Sequence, residues 1–476
     1  MLTPGLVLLP LAAAVLLACL PRRMSIVRAV TFVALAAQIM AMGAIYLSAS
    51  APVPFEAAWL PSLGSQIYLY ADGISVQGLM VLTTVLVAAA MAELYLQTDG
   101  SSSARMALVF VVAAALNLLL LSRDILLAAA AHGTAGLALA ALLGIGSGLA
   151  GQTAARRFAN QAVVGTILFS AAAAILAASS GSTVIDDLTR IDPAPARMAA
   201  MLLTLAIALQ VPLIPLHIWL APVVAAGSVA GRTLVLGGWC TAGAFCLLRF
   251  GLGLFPDLLA YAAPIPMLWG VATIVYAAIL AIAQDEEDLL RRLSWATLAT
   301  GGLLLVGVAG LETQPVLGAW MQTSTQALPR VGLVLLAHWI TSTGARRASV
   351  AGVWVVLALV VAATPGAGPF PGWLLVLGGT TNPVVVGVVL LAGATIGYAL
   401  ILPATRLARA SAGPAMPRPL SRLLAAVMVV VALTGLVPGS WVGRARPDID
   451  SLLERIVETP SMSDDASTDG EAHDLD

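Results

Sequence analysis

Residues 2 to 19 hold no charged side chain, and apolar runs of that kind return along the chain as far as residue 436. A stretch of roughly 20 apolar residues is the length a helix needs to cross the hydrocarbon core of a bilayer. In hydrocarbon every backbone N–H and C=O must find its partner inside the protein, so only helices or a closed barrel can span it. The runs here are continuous and lack the period of two that a barrel strand needs. With 60% hydrophobic and 10% charged residues among 476, a soluble globular chain is excluded. The sequence predicts an all-α polytopic membrane protein with about 14 transmembrane helices. Their centres fall near residues 11, 37, 84, 113, 136, 170, 208, 242, 274, 303, 330, 365, 392 and 430.

Charge sets the expected orientation. Arg22 and Arg23 follow the first span, the wrong polarity for a cleaved signal peptide, so that span is read as a retained helix with its N-terminus outside. Arginine then recurs in every second loop: Arg105, Arg156 and Arg157, Arg291 and Arg292, Arg346 and Arg347, and Arg406 to Arg422. Those loops are cytoplasmic by the positive-inside rule, which puts both termini on the periplasmic side. Arg232, near the start of the eighth span, is expected to snorkel to the cytoplasmic interface. The spans occupy residues 1–440, and residues 441–476 hold a short amphipathic helix opened by a Ser451–Glu454 capping box. An acidic stretch, Ser461 to Asp476, follows and lacks the apolar content to fold alone.

All 23 basic residues are arginine, and an arginine keeps its proton, so no relay built on lysine exists in this chain. Cys19, Cys240 and Cys246 lie in apolar segments without metal-ligand spacing and read as small apolar residues. There is no Cys/His cluster, nucleotide loop or nucleophile motif, so the reading is no metal, no nucleic acid and no cofactor bound by this chain.

Two apolar stretches are broken by proline. In Gln210 to Phe250 they are Pro212 and Pro215, followed by His217 and Trp219; in AATPGAGPFPGW they are Pro365, Pro369 and Pro371, ending at Trp373. A proline removes a donor and clashes with the preceding turn. In a membrane such a break survives where the freed carbonyls face protein or a water-filled cavity, a mark of ion pathways.

The run Pro212-Leu-x-Pro-Leu-His-x-Trp-Leu, followed by Gly243-Ala-Phe-x-Leu-Leu-Arg-Phe250, resembles the antiporter-like membrane subunits of proton-translocating NADH–quinone oxidoreductase, complex I. Tyr70-Ala-Asp-Gly-Ile-Ser75 resembles the signature of its chain M type, with Asp72 also a helix N-cap. Ser122-Arg-Asp124, the Arg156-Arg-Phe158 corner, the segment from Gln284 to Trp295 and the eleventh span from Gly318 to Leu328 resemble the same family. The resemblance implies two inverted five-helix repeats, spans four to eight and nine to thirteen, with broken helices seven and twelve. It implies packing beside other antiporter-like and membrane-arm subunits in a bacterial cytoplasmic membrane. NADH, FMN, iron–sulfur clusters and quinone would then sit in partner subunits.

The departures matter as much. Where the family carries relay lysines this chain has Gln210 and Thr241, and where it carries a buried glutamate in the fifth span it has His132 and Gly133. The family's histidines become Thr300 and Gln326, and its exit-side glutamate becomes Trp373. Candidate ion-path or broken-helix positions are His132, Gln210, Pro212, Pro215, His217, Thr241, Gln326, Arg330, His338, Pro365 and Trp373. Arg330 follows Pro329 near mid-span, where an unpaired charge costs about 2.5–3.5 kcal/mol, so it is expected to face the protein interior with a polar partner. The functional expectation is a complex I membrane-arm subunit whose own proton channel is degenerate or silent. A substitute path through His217, His338 and ordered water is the competing view. The alternative assemblies are an Mrp-type cation/proton antiporter, a membrane hydrogenase or an inorganic-carbon uptake complex.

Overall fold

A computed structural model describes residues 2–21, 23–48, 53–96, 102–188, 193–285, 287–409 and 413–458. The acidic stretch from Ser461 lies outside the described residues. The chain opens with α1 (Leu2–Cys19) and α2 (Met24–Leu47), then a hairpin of β1 (Phe55–Leu60) and β2 (Ser65–Leu69). Four long helices follow: α3 (Gly73–Tyr95), α4 (Ser102–Leu121), α5 (Ile125–Gly144) and α6 (Gly148–Ser180). Next come α7 (Pro193–Gln210), α8 (Leu220–Ala226), α9 (Val229–Leu234) and α10 (Cys240–Cys246). The α9–α10 span widens to π-helical turns at Val235–Trp239 and Leu247–Leu252. Beyond it lie α11 (Pro256–Tyr261), α12 (Pro264–Ile282), α13 (Leu289–Val308), α14 (Thr313–Thr343) and α15 (Ala348–Val361). The chain closes with α16 (Pro369–Gly378), α17 (Pro383–Ile401), α18 (Pro403–Arg409), α19 (Arg418–Leu436) and α20 (Pro438–Glu458). Among the described residues, 11 helices are long and apolar enough to cross a membrane. α13 and α14 are of spanning length but carry arginines, glutamines and threonines on buried faces.

The expected span near residue 365 is two helices, α15 and α16, meeting at a break. α14, 31 residues long, lies in the centre of the bundle, with every side chain from Pro315 to Ala337 buried. The lipid-facing helices read differently: α1 and α2 bury only a third of their window and expose residues such as Val33 and Met40. This gradient follows from the solvent, since hydrocarbon makes no demand that apolar side chains be inside.

Two sequence expectations change, and the segment before α3, which falls in no span, forms an antiparallel hairpin in which Phe55 pairs with Leu69 and Ala57 with Ile67. Its alternation of aromatic, β-branched and small residues suits a strand. Arg156 and Arg157 do not join two helices; they lie inside the 33-residue α6, which extends well past the length a bilayer core needs. The C-terminal helix begins at Pro438, not at Ser451. Trp441, Ala445, Ile449 and Leu453 recur every fourth residue and bury one face, so the helix continues through the supposed cap. The Ser451 hydroxyl merely donates to the Asp448 carbonyl.

α20 lies over the same end of the bundle as the start of α3. Asp72 caps α3 by accepting from the Ser75 N–H at 2.9 Å, and its Oδ2 accepts from Arg249 and, at 3.3 Å, from Arg123. Asp448 of α20 accepts from the Ile74 N–H at 2.9 Å. A Cβ on Gly73 would meet the Arg444 carbonyl oxygen at 1.8 Å, so only glycine admits this approach. Arg444 in turn donates to the Tyr46 carbonyl of α2. Gln77 donates to the Trp441 carbonyl and accepts from Trp320 of α14.

Burial opposes the ionisation of both carboxyls. The guanidinium of Arg249, then that of Arg123, nonetheless holds Asp72 below the usual carboxylate range. Asp448 is pushed up to about 6, by burial first and by the charge of Asp72 second. An acid whose pKa is raised by folding stabilises the fold most below its ordinary value of 3.8, and that contribution is lost as pH rises through about 6. Asp72 has the opposite sign: its contribution is present above its ordinary value and lost on strong acidification. The melting temperature of the detergent-solubilised protein is therefore expected to fall between about pH 4 and 6 by an amount set by Asp448. Asp448→Asn, which keeps an acceptor for Ile74, should flatten that slope; an unchanged slope in a thermal-shift series would refute the assignment.

Candidate functional site

The first break is built by proline. α7 ends at Gln210, the chain leaves helix at Val211–Pro215, and it restarts through a single tight turn, Leu216–Trp219, into α8. Pro212 and Pro215 supply no N–H, so the helix cannot continue through them. The Ile214 carbonyl accepts from Trp269 Nε1, and the Pro212 carbonyl sits where a Cβ on Gly301 of α13 would lie, 2.5 Å away. Gln210 is buried and its Nε2 donates to the Trp239 carbonyl at 3.2 Å. Thr241 is buried too, its hydroxyl satisfied by the Gly237 carbonyl of its own helix at 2.8 Å. His217, also buried, sits edge-on to Tyr276 and Trp295, and its Nδ1 has no hydrogen-bond partner among the described residues.

The second break has the same logic. α15 stops at Val361, Ala363 and Gly366 take φ of 55° and 85°, Pro365 stands between them, and α16 restarts at Pro369. The carbonyl of Val361 accepts from Gln326 Nε2 at 2.7 Å. A cavity of about 30 Å³ opens here between α13, α14, α16 and α17, lined by Thr300, Gln322, Gln326 and Trp373. Space of that size admits water. Gln326 Oε1 and Trp373 Nε1, an acceptor and a donor, have no hydrogen-bond partner among the described residues. Three positions singled out in separate sequence segments thus line one cavity.

The charged and ionisable groups are distributed around these breaks. His132 is 2% exposed, its Nδ1 lies 2.9 Å from Thr166 Oγ1, and its ring stacks at 4.7 Å on Trp239. The Thr166 hydroxyl already donates to the Ala162 carbonyl, so Nδ1 is the donor of that pair. Arg330 is 1% exposed, and its Nε donates to the Gln326 carbonyl at 2.9 Å, the interior polar partner expected for it. Arg232 does not snorkel. It is buried, its Nη1 donates to the Val224 carbonyl and its Nη2 lies 3.1 Å from His338 Nδ1. The cause is local: α9 starts at a Ser228 cap directly after α8 ends, leaving that carbonyl without a helical donor and within reach. A guanidinium only donates, so His338 Nδ1 accepts and its proton sits on Nε2.

Sequence reasoning missed two buried ion pairs. Arg105, read as a cytoplasmic loop residue, is 1% exposed and pairs with Glu93 at 2.5 Å. Arg249, read only as part of a family word, pairs with Asp72 across 177 positions. The Glu93–Arg105 pair left a usable signal, an acid at the end of one span and an arginine at the start of the next. The Asp72–Arg249 pair left none. No buried carboxylate lies among Gln210, Thr241, Thr300, Gln326, Arg330 and Trp373, since the buried acids among the described residues are Asp72, Glu93 and Asp124.

Two discontinuous helices, with freed carbonyls turned onto buried polar side chains inside a polytopic bundle, define the antiporter-like class of membrane subunit. The family described as NADH:quinone oxidoreductase/Mrp antiporter, TM matches residues 122–397, and the chain belongs to it. NAD(P)H-quinone oxidoreductase chain 4 3 of Trichormus variabilis is 32% identical over 182 residues, 36% of this chain and 34% of that protein. NADH-quinone oxidoreductase subunit M of Mycobacterium tuberculosis is 28% identical over 201 residues, 40% of this chain and 36% of that protein. The matched part thus spans about a third of the length of these curated relatives. Among solved structures, a chain of respiratory complex I from Thermus thermophilus with bound NADH superposes with a TM-score of 0.86 at 20% identity, over 96% of this chain and 100% of that one. A chain of the archaeal membrane-bound sulfane sulfur reductase gives 0.83 at 15% identity, over 95% and 99%. The Mrp complex of Dietzia gives 0.81 at 19% identity, over 96% of this chain and 52% of that one. At these identities the superpositions establish a shared fold.

One close approach holds the second break against α14. A Cβ on Gly372 would fall 2.5 Å from the Gln322 backbone nitrogen, which cannot yield as a side-chain tip would. Gly372→Leu is expected to destabilise the protein by about 3 kcal/mol, the upper end for overpacking. Gly352→Leu, where nothing lies within 4 Å, should leave the melting temperature unchanged. Equal effects of the two substitutions would show that this contact does not position α16.

Proposed function

We propose that this chain is a chain M-like membrane-arm subunit of a complex I-like proton-translocating NADH–quinone oxidoreductase, in which its own half-channels do not join into a proton path. The observation that carries this is the row Gln210, Thr241, Thr300, Gln326 and Trp373, buried or half-buried at two intact helix breaks and unable to change charge. Proton relay across a membrane needs groups that take up and release a proton in turn. Glutamine, threonine and tryptophan order water and accept hydrogen bonds but store no proton. His132 and His217 flank the row, and each is spent on packing against aromatic rings.

The rest of the reading follows from that. The arginine distribution supports periplasmic termini in a bacterial cytoplasmic membrane. The two breaks at corresponding places support an internal inverted five-helix repeat. Other antiporter-like subunits would be its neighbours, and NADH, FMN, iron–sulfur clusters and quinone would belong to other chains of the assembly. A second reading rests on the similar superpositions with the sulfane sulfur reductase and Mrp chains, which give the fold two other kinds of assembly to serve.

Two measurements test the proposal. Affinity purification from native membranes should recover further antiporter-like subunits together with NADH-oxidising ones; recovery of Mrp-type partners alone would decide for the second reading. In vesicles holding the native complex, replacing His132, His217 and His338 together with glutamine should leave the number of protons moved per electron pair unchanged. A clear drop with the complex still assembled would show that this subunit pumps.

A further inference from the structure

Arg330 is the buried arginine set beside the second helix break. It lies near the middle of α14, is 1% exposed, and is reached by no carboxylate within ion-pair distance among the described residues. Its Nε is used on the Gln326 carbonyl and its Nη2 has no hydrogen-bond partner among the described residues. Arg105 and Arg249 are met by the carboxylates of Glu93 and Asp72, and Arg232 and Arg292 by two or more neutral acceptors on their terminal nitrogens, whereas the acceptor described for Arg330 is the single Gln326 carbonyl on its Nε. Placing such a charge at mid-helix is costly, and removing a buried charge for an apolar group of similar size is often stabilising. An uncompensated guanidinium at this position is therefore not explained by stability.

Its location supplies a reason. Arg330 is one helical turn from Gln326, which borders the water-sized cavity, and α14 packs on the π-helical turn before Cys240 and Thr241, where a Cβ on Gly237 would meet the Val331 side chain at 2.8 Å. Arg330 thus lies on α14 between Gln326, at the second break, and Val331, which meets the π-helical turn before Cys240 and Thr241. A guanidinium keeps its charge at any accessible pH, and in a low-dielectric interior a fixed charge acts on neighbours with little screening. A single arginine in a narrow polar passage is a known physical means of turning back cations and protons while leaving water unaffected.

We propose that Arg330 is a fixed electrostatic barrier that seals the polar row of this subunit against protons and small cations. This rests on the reading that the row itself stores no proton, and it goes further: the subunit is closed by a positive charge and not only by the absence of relays. A complex that builds a proton gradient gains from such a seal, because two helix breaks with a water-sized cavity would otherwise offer a route for leakage.

The test uses the native complex reconstituted in liposomes without an electron donor. A potassium diffusion potential, inside negative, is imposed with valinomycin, and proton entry is read from a trapped pH dye. Native vesicles should remain tight. Arg330→Gln and Arg330→Thr, which remove the charge and leave room for water, should raise proton conductance at least tenfold, and either one alone carries the test if the other does not assemble. Assembled uncharged variants as tight as the native complex would overturn the barrier while leaving the uncharged row as a sufficient cause of silence. A native complex that already conducts at the variant rate through this subunit would overturn the proposal together with the reading beneath it.

Discussion

Backbone carbonyls that have lost their helical donors set the rules for this protein. In hydrocarbon such a group has no water to turn to, so each break in α7–α8 and α15–α16 must be answered by a side chain or be sealed against a neighbouring backbone. Trp269 answers Ile214, Gln326 answers Val361, and Gly301 of α13 allows the Pro212 carbonyl to be packed away. These obligations fix where α12, α13 and α14 must stand relative to the breaks. They also explain why polar residues persist in the interior of a chain this apolar: Gln326 is kept where a donor is needed, whatever else it does.

The same accounting separates structural polarity from chemistry. Thr241 is satisfied by its own helix and Gln210 by Trp239, so neither requires an ion or a proton to be stable. Among the buried polar atoms with no hydrogen-bond partner in the described residues, four lie on or near the breaks: Gln326 Oε1, Trp373 Nε1, His217 Nδ1 and Arg330 Nη2. Three of the four are neutral groups on or near a break, and the fourth carries a permanent charge.

Much of this was legible in the sequence because the bilayer leaves few choices. Helix positions followed from apolar length, and both breaks from proline placement at Pro212, Pro215 and Pro365. What the sequence concealed were contacts set by three-dimensional proximity without local pattern. Asp448 reaching Ile74, or Arg249 reaching Asp72, has no periodicity to betray it. Arg232 misled for a related reason: hydropathy treats a charge near a span end as bound for the interface, yet the short α8 ends beside it and offers the Val224 carbonyl in place of water. The hairpin before α3 escaped because its strands are short and its turn, Pro61–Leu63 with Gly64 at φ 62°, has no two-residue hairpin signature.

The docking of α20 bears on the order in which the chain can be completed. Ile74 begins the third helix, but the carboxylate that receives its N–H belongs to a residue 374 positions later. While the chain emerges from the ribosome, residues near the start of α3 therefore wait, half-finished, through the insertion of every helix that follows. Gln77 waits in the same way for the Trp441 carbonyl, and the Tyr46 carbonyl for Arg444. A segment made late thus completes some of the earliest, and a ribosome that stalls before residue 438 leaves that end of the bundle without the partners α20 supplies.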